Sequence, residues 1–579
     1  MNRVSHASLV AAVLGIVSLA IGASAARTVH AAGYDRPTKN ATQSRSVVVA
    51  QHGIVAASQP LAAQAGLDIL KRGGNAADAA IATSAMLGLT EPMSCGIGGD
   101  VFAIYWDNKT KKLYGLNGSG RSPYALNRDV FKQKGLTSIP GQGLLCWSVP
   151  GCVAGWEDLR SRFGNNTMAE ILEPAIAYGE GGFPVSEVIA VYWRATAAGL
   201  KKYPDTAKTF LVDGHPPAEG EMFRNPNLAA SYRAIAKDPA SFYKGAIAQK
   251  IVSFSEANGG YFSLKDLADH KSDWIEPVST NYRGYDIWEL PPNGQGIAAL
   301  QILNLIEPYD VRKMGRGSAE WFHLFLEAKK LAFADRAKFY ADPDFGKLPT
   351  AELISKPYAA KRGRLLSMDL AAKDVPPGNP LLQHGDTIYL TVVDKDRNCC
   401  SFIQSNFGGF GSFVVPGDVG FVMQNRGQLF ALDDTHLNRL EPHKRPFHTI
   451  IPAMVTKAGK PWLSFGVMGG DMQAQGHVQI LVDLIDFDMN LQEAGDEARV
   501  RHDGSAEPTG EAAAPDGGEV FVEPQVPKET VAALTKKGHK VAPARGAGFG
   551  GFQGILIDSK NGVLHGATEP RKDGAAVGY

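Results

Sequence analysis

The first long part of the chain reads as helices separated by glycine turns. Leu61 to Arg72 has helical spacing and is closed by Gly73-Gly74, and Asn75 then offers an N-cap for Ala76 to Leu87. That second stretch is apolar nearly all round, which predicts a buried helix and therefore a large core. A further helix is expected from Ser318, with Trp321, Leu324, Phe325, Ala328, Leu331 and Ala332 on one buried stripe, ending at Asp342-Pro343-Asp344. The texture changes after Asp386. Thr387 to Val393 (TIYLTVV) is β-branched and aromatic, Asp394 to Asn398 is a turn, and Cys399 to Ser405 returns, which predicts a hairpin. Further strands are expected at Gly420 to Met423, Ile450 to Thr456, Trp462 to Val467, Val520 to Val522 and Gly554 to Asp558. Helices are expected around Val478, Leu481, Val482 and Ile485, on one stripe, and from Pro527 to Lys537. This predicts a C-terminal third made of an antiparallel sheet with helices packed on it, and Arg501 to Glu519 as a polar surface loop.

Composition narrows the chemistry. The 579 residues carry 59 basic and 59 acidic side chains, a formal charge of zero, so no sustained positive field exists to collect nucleic acid. With 44% apolar and 20% charged residues the chain is globular. Five cysteines are too few and too irregularly spaced for a disulfide scaffold or a structural zinc site, and no metal is expected. Cys399 and Cys400, adjacent in a strand, should point to opposite faces as small core residues.

Arg3, the apolar run Leu9 to Ile21 and the small residues Ala23-Ser24-Ala25 have the outline of a cleaved export signal, residues 1–25. The run is short for a membrane span, so an exported, periplasmic protein without a stable membrane anchor is expected. Residues Lys373 to Asp386 (KDVPPGNPLLQHGD) read as an exposed linker. The glycines from Gly546 to Gly551 satisfy G-x-G-x-x-G but run into a strand, where a phosphate-binding loop must open a helix. No Walker loop, H-E-x-x-H or G-x-S-x-G elbow occurs.

A threonine directly behind an exposed linker has one chemical possibility of its own. If the chain is cut before Thr387, the freed α-amino group can take the proton from its hydroxyl and make it a nucleophile. Ordinary β-propensity also places threonine at strand starts.

The neighbouring motifs bear on that choice. In order they are GGNAADAA (Gly73 to Ala80), EPMSCGIGGD (Glu91 to Asp100), SVPG (Ser148 to Gly151), PPNGQG (Pro291 to Gly296) and EAKKLAFADR (Glu327 to Arg336). After the linker come GDTIYLTVVDKD (Gly385 to Asp396), KRPFHTIIP (Lys444 to Pro452), FGVMGG (Phe465 to Gly470) and GATEPRKDGAAVGY (Gly566 to Tyr579). This set resembles the γ-glutamyltransferase family, or glutathione hydrolases, from about Val55 to Tyr579. The resemblance implies an α+β fold, a four-layer αββα sandwich of the N-terminal-nucleophile hydrolase type. It also implies a precursor that cuts itself between Asp386 and Thr387 into a large chain, 26–386, and a small chain, 387–579, which stay together. By the same resemblance Thr387 is the nucleophile, Ser405 carries a hydroxyl that touches it, and Gly469-Gly470 hold the oxyanion. No cofactor is implied.

The sequence also departs from its relatives. Typical members grip the substrate's α-amino group with an Asn, an Asp and two serines, where this chain has Phe407, Leu429, His448 and Thr449. Arg121 is the nearest counterpart of the family's carboxylate-binding arginine, and Asn425 and Arg426 of QNRG join the substrate-binding candidates. Guanidiniums suit a carboxylate, which they hold bidentately, although each arginine could equally serve a structural ion pair. The Phe430 to Lys444 segment is shorter than the family's lid. These departures resemble the side branch that contains oxamate amidohydrolase and the cephalosporin acylases. His384 and His477 are more ordinary as structural histidines, and Asp100 replaces a family glycine without an evident reason. The expected protein is therefore a self-processing amidohydrolase acting on a small-molecule amide. A true glutathione hydrolase or transpeptidase and a non-catalytic periplasmic binding relative are the alternatives.

Overall fold

The computed structural model describes residues 43–373, 375, 386–544 and 548–579. The export segment 1–25, His384, nearly all of the linker, and Gly546 lie outside the described residues. The chain divides into a short unit, Met1–Ser44, and a main unit, Arg45–Tyr579, which carries everything below.

Two seven-stranded antiparallel sheets form the centre of the main unit. The first runs Ala575–Gly578, Ile54–Ala57, Asp386–Val393, Cys399–Phe407, Asp100–Asp107, Lys112–Asn117, Asp273–Ile275. The second runs Val48–Ala50, Val563–Thr568, Gly551–Asp558, Lys460–Met468, Ala453–Lys457, Tyr285–Glu289, Val278–Tyr282. Side-chain alternation explains why they stack. Along Asp386–Val393, Ile388, Leu390 and Val392 join a core shared with the helices Pro60–Lys71 and Ala76–Thr90. Tyr389 and Val393 join the inter-sheet core with Ile403, Ile450, Met454 and Ile555. A third core packs the second sheet against Gly296–Ile306, Ala319–Phe339 and Met472–Ile485. The result is the expected four-layer αββα sandwich.

Local signals are realised closely. Asn75 caps Ala76–Thr90 in a capping box with Asp78, and all fifteen residues of that helix are buried. Gly73, at φ +98°, makes the left-handed turn between the helices. Cys399 faces the inter-sheet core and Cys400 the helix side.

Four expectations are corrected. The C-terminal strands do not form a sheet of their own, because they interleave with earlier strands in both central sheets, and a small sheet of Val500–Asp503, Glu519–Val522 and Lys540–Pro543 stands apart. Gly420 to Met423 is irregular, since its backbone bonds run to the bent 412–414 segment. The strand expected from Ile450 begins at Ala453, because the Ile450 and Ile451 amides donate to His448 Nδ1 and Gln473 Oε1 instead of a ladder. Arg501 to Glu519 is not a surface loop: Ala506 and Glu507 are buried, and Glu507 binds Arg336. The stripes read on Ala319–Phe339 and Met472–Ile485 widen to nearly complete burial, the former covered also by Lys528–Lys536 and the small sheet.

Candidate active site

Thr387 is 1% exposed, one residue into its strand. The register pairs Ile388 with Gln404 and then slips by one residue to pair Asp386 with Phe407. Thr387 therefore lies across from Ser405, just before the bulge. Its Oγ1 donates to Ser405 Oγ at 3.1 Å, and Ser405 Oγ also accepts the Phe407 amide at 2.8 Å. Two residues along the same face, the Tyr389 ring lies against Gly466, where a Cβ would come within 2.5 Å of it. Two further, Thr391 Oγ1 bonds Ser464 Oγ at 2.6 Å. The alternation thus aims Thr387 at the far end of Lys460–Met468, where the Gly469-Gly470 turn follows.

Gly469 and Gly470 adopt φ of +123° and +55°, conformations that favour glycine. Their carbonyls accept the Met472 and Gln473 amides, so the turn runs straight into the helix Met472–Ile485. Backbone N–H groups at such a helix start favour developing negative charge. A buried brace holds the turn from behind. Gln295 Nε2 donates to the carbonyls of Gly470 at 3.0 Å and Thr449 at 2.6 Å. Arg336 Nη1 donates to Gln295 Oε1 and to Asp471 Oδ1, both at 2.6 Å, and its Nη2 to Glu507. Burial would raise the Asp471 carboxyl, but Arg336 more than offsets this and holds it low. Burial prevails at Glu507, which is driven well above the carboxylate range. Gln295 and Arg336 lie in the PPNGQG and EAKKLAFADR motifs, yet their pattern carries no sign of this role, and nothing in the sequence points to Glu507.

Most of the departures gather around Arg426. Arg426 is 0% exposed, its Cζ lies 4.5 Å from the Phe407 ring centre, and its Nη1 donates to Thr449 Oγ1 at 2.8 Å. Its Nε and Nη2 have no hydrogen-bond partner among the described residues. Burial lowers its pKa to about 9 against the opposing pull of Asp100. His448 Nε2 lies 3.1 Å from Asp100 Oδ2 and its Nδ1 accepts the Ile450 amide, and burial, then Arg426, keep the imidazole neutral. Leu429 is a buried apolar wall. Asn425 is committed to scaffolding: its Nδ2 donates to Gly141 O at 2.9 Å and its Oδ1 accepts the Gly408 amide at 2.8 Å. Arg121 is likewise engaged, with Asp344 at 3.2 Å and Asp273 at 3.7 Å, although its Nη1 is unpartnered among the described residues. His477 pairs with Glu289 at 2.7 Å inside the helix–sheet core. Beside QNRG opens a cavity of about 660 Å³ lined by Phe131, Ile139, Gln428, Phe430, Leu432 and Glu511, among others.

His323, Glu327 and His539 converge elsewhere, the one group of potential metal ligands among the described residues. The two imidazoles are bonded to each other at 2.8 Å, and Lys330 already neutralises Glu327.

Residues 62–579 match the gamma-glutamyltranspeptidase family as a whole. The chain belongs to the gamma-glutamyltranspeptidase family. It is 38% identical to the glutathione hydrolase-like YwrD proenzyme of Bacillus subtilis, over 92% of this chain and 99% of the relative. It is 32% identical to the oxamate amidohydrolase proenzyme of Klebsiella pneumoniae, over 92% and 99%. The crystal structure of cephalosporin acylase from Bacillus halodurans superposes with a TM-score of 0.85 at 41% identity, covering 95% of this chain and 99% of that one. These family relatives are hydrolases, and the fold is that of the N-terminal-nucleophile class. The chain is a hydrolase of the gamma-glutamyltranspeptidase family, on the acylase and amidohydrolase side that its motifs resemble.

Proposed function

We propose that the protein matures by cleavage between Asp386 and Thr387 and then hydrolyses amides whose acyl group carries a carboxylate. The large chain is 26–386 and the small chain 387–579. The freed α-amino group of Thr387 takes the proton from Oγ1, which attacks the amide carbon. Ser405 Oγ, 3.1 Å away, steadies that oxygen. The tetrahedral oxyanion is held by the backbone N–H groups of the Gly469-Gly470 turn. The ammonium returns the proton to the departing amine as the C–N bond breaks, leaving an ester on Thr387. Water, deprotonated by the same amino group, then attacks the ester and releases the acid. The proenzyme names of the relatives support the processing step.

The observation that carries the substrate reading is Arg426, a fully buried guanidinium with two nitrogens unpartnered among the described residues. A carboxylate pairs with such a fork bidentately. An α-ammonium finds no carboxylate at Leu429, and Asp100 cannot replace it because its oxygens already take four hydrogens. The cavity beside Gln428 has room for the leaving amine. The start of the chain supports export to the periplasm, and no helix among the described residues is long and apolar enough to cross a membrane.

Steady-state hydrolysis of glutaryl-, γ-glutamyl- and acetyl-p-nitroanilide tests the reading. A glutaryl preference of at least about tenfold over both others is expected. A γ-glutamyl preference would favour the glutathione hydrolase alternative.

A further inference from the structure

Asp100 opens the strand Asp100–Asp107, and cross-strand register pairs it with Ser405, the partner of Thr387. The carboxylate is fully buried. Its Oδ1 accepts the amides of Gly120 and Gly151, each at 3.0 Å, and Gln424 Nε2 at 2.9 Å, while its Oδ2 faces His448 Nε2 at 3.1 Å. Two of these donors lead directly to the acyl pocket. Gln424 lies two residues before Arg426, and His448 immediately precedes Thr449, which Arg426 holds. Hydrogen bonding alone does not demand an acid here, because an amide oxygen would accept the same three N–H groups. What the acid adds is charge.

The charge that acts on it is Arg426, whose pull opposes the effect of burial without a direct ion pair. Among the described residues the other ionisable groups facing Asp100 are His448, Cys152 and Tyr243. His448 is kept neutral by burial and Arg426, and burial drives the Cys152 thiol and the Tyr243 phenol so high that both stay protonated. The pocket thus holds one buried cation and one buried anion, each a departure that the family motifs do not explain.

We propose that Asp100 is the proton-linked counter-charge of the acyl pocket: it balances Arg426 in the empty enzyme, and takes up one proton from solvent when a substrate carboxylate engages that guanidinium. The proton settles on Oδ2. His448 accommodates it by moving its own hydrogen from Nε2 to Nδ1, so that Nε2 accepts where it had donated. The contact given up is the long one, the Ile450 amide on Nδ1 at 3.4 Å. The net charge of the pocket is then the same with and without substrate, which lowers the cost of burying an anion. A zwitterionic γ-glutamyl chain brings no net charge and needs no such proton, so Asp100 makes the binding of a carboxylate-only acyl group, and not of a zwitterionic one, depend on pH. The empty-state pKa of Asp100 is consistent with the exchange, since burial, opposed by Arg426 and the three donors, places it at about 6. A second anion beside Arg426 raises it further. Binding is therefore favoured at lower pH and weakens as pH rises through and above that value.

This inference rests on the carboxylate reading of Arg426, and isothermal calorimetry with glutarate separates the two. The purified wild-type protein and Asp100→Asn are titrated near pH 7 in phosphate and in Tris, whose ionisation enthalpies differ, and again near pH 6 and pH 8. Wild type should take up about half a proton or more near pH 7, and bind about tenfold more weakly near pH 8 than near pH 6. Asp100→Asn should take up none, lose the pH dependence and bind more tightly near pH 8. Glutarate binding without proton uptake and with the same pH dependence in both proteins would overturn the role of Asp100 while leaving the carboxylate site standing. Glutarate that binds neither protein would remove the carboxylate reading and this inference with it. If Asp100→Asn does not fold, the wild-type proton uptake and pH dependence decide alone.

Discussion

Replacing Arg426 by methionine should make the protein more stable and less active. The guanidinium is completely buried, and its pKa falls from the ordinary arginine range to about 9, chiefly through desolvation. At about 1.4 kcal/mol per unit, holding the charge inside the fold costs about 5 kcal/mol before relaxation. Replacing a buried ion by an apolar side chain of similar volume generally recovers about 1–4 kcal/mol. Part is lost again, because Asp100 is left without its counter-charge and must hold a proton at neutral pH, so the net gain should be about 1–3 kcal/mol. For a unit of this size, with an unfolding entropy of about 1 kcal/mol per kelvin, the melting temperature should rise by about 1–3 °C in calorimetry. Loss of a bidentate, buried carboxylate partner is worth about 3–4 kcal/mol, which lowers kcat/KM for glutaryl-p-nitroanilide about 100- to 1000-fold. Acetyl-p-nitroanilide, which lacks the carboxylate, should change less than about threefold. A destabilised Arg426→Met protein that keeps its glutaryl activity would refute the reasoning, because the arginine would then be a structural residue.

Two other substitutions address Thr387 and its strand. Ser405→Ala removes the acceptor for Thr387 Oγ1 at 3.1 Å, so kcat should fall about tenfold with KM within about twofold, measured by steady-state kinetics on the processed fraction. Gly466→Ala would set a Cβ within 2.5 Å of the Tyr389 ring, and that ring is fixed between the sheets by Ser401 at 2.8 Å. Overpacking at this point should destabilise by about 1–3 kcal/mol, read as a lower urea midpoint with an unchanged slope.

The parts of the fold written in local pattern were readable from the sequence: the Asn75 cap, the glycine turn after Lys71 and the hairpin from Thr387. Each depends on neighbours within a few residues. Sheet order was not readable, because Ile54–Ala57, which pairs with Asp386–Val393, and Ala575–Gly578, which pairs with Ile54–Ala57, come from opposite ends of the chain, and only tertiary packing selects them. The site divides in the same way. Thr387 and Ser405 face each other through an adjacent hairpin, so motif order located them. The pairing of Asp100 with His448, and the brace from Glu507 through Arg336 and Gln295 to Gly470, join residues far apart in sequence. Burial also extended beyond the pattern, since Lys329, Lys330 and Arg336 are buried on a helix that was expected to bury a single apolar stripe.

The central claim is that Thr387 becomes the N-terminal nucleophile of a small chain. The purified protein and its Thr387→Ala variant should be run on a denaturing gel after incubation, with N-terminal sequencing of any smaller band. The account predicts two bands from wild type, the smaller beginning Thr-Ile-Tyr-Leu, and a single uncut band from the variant. Wild type that stays whole after long incubation, or a variant cut at the same bond, would contradict it.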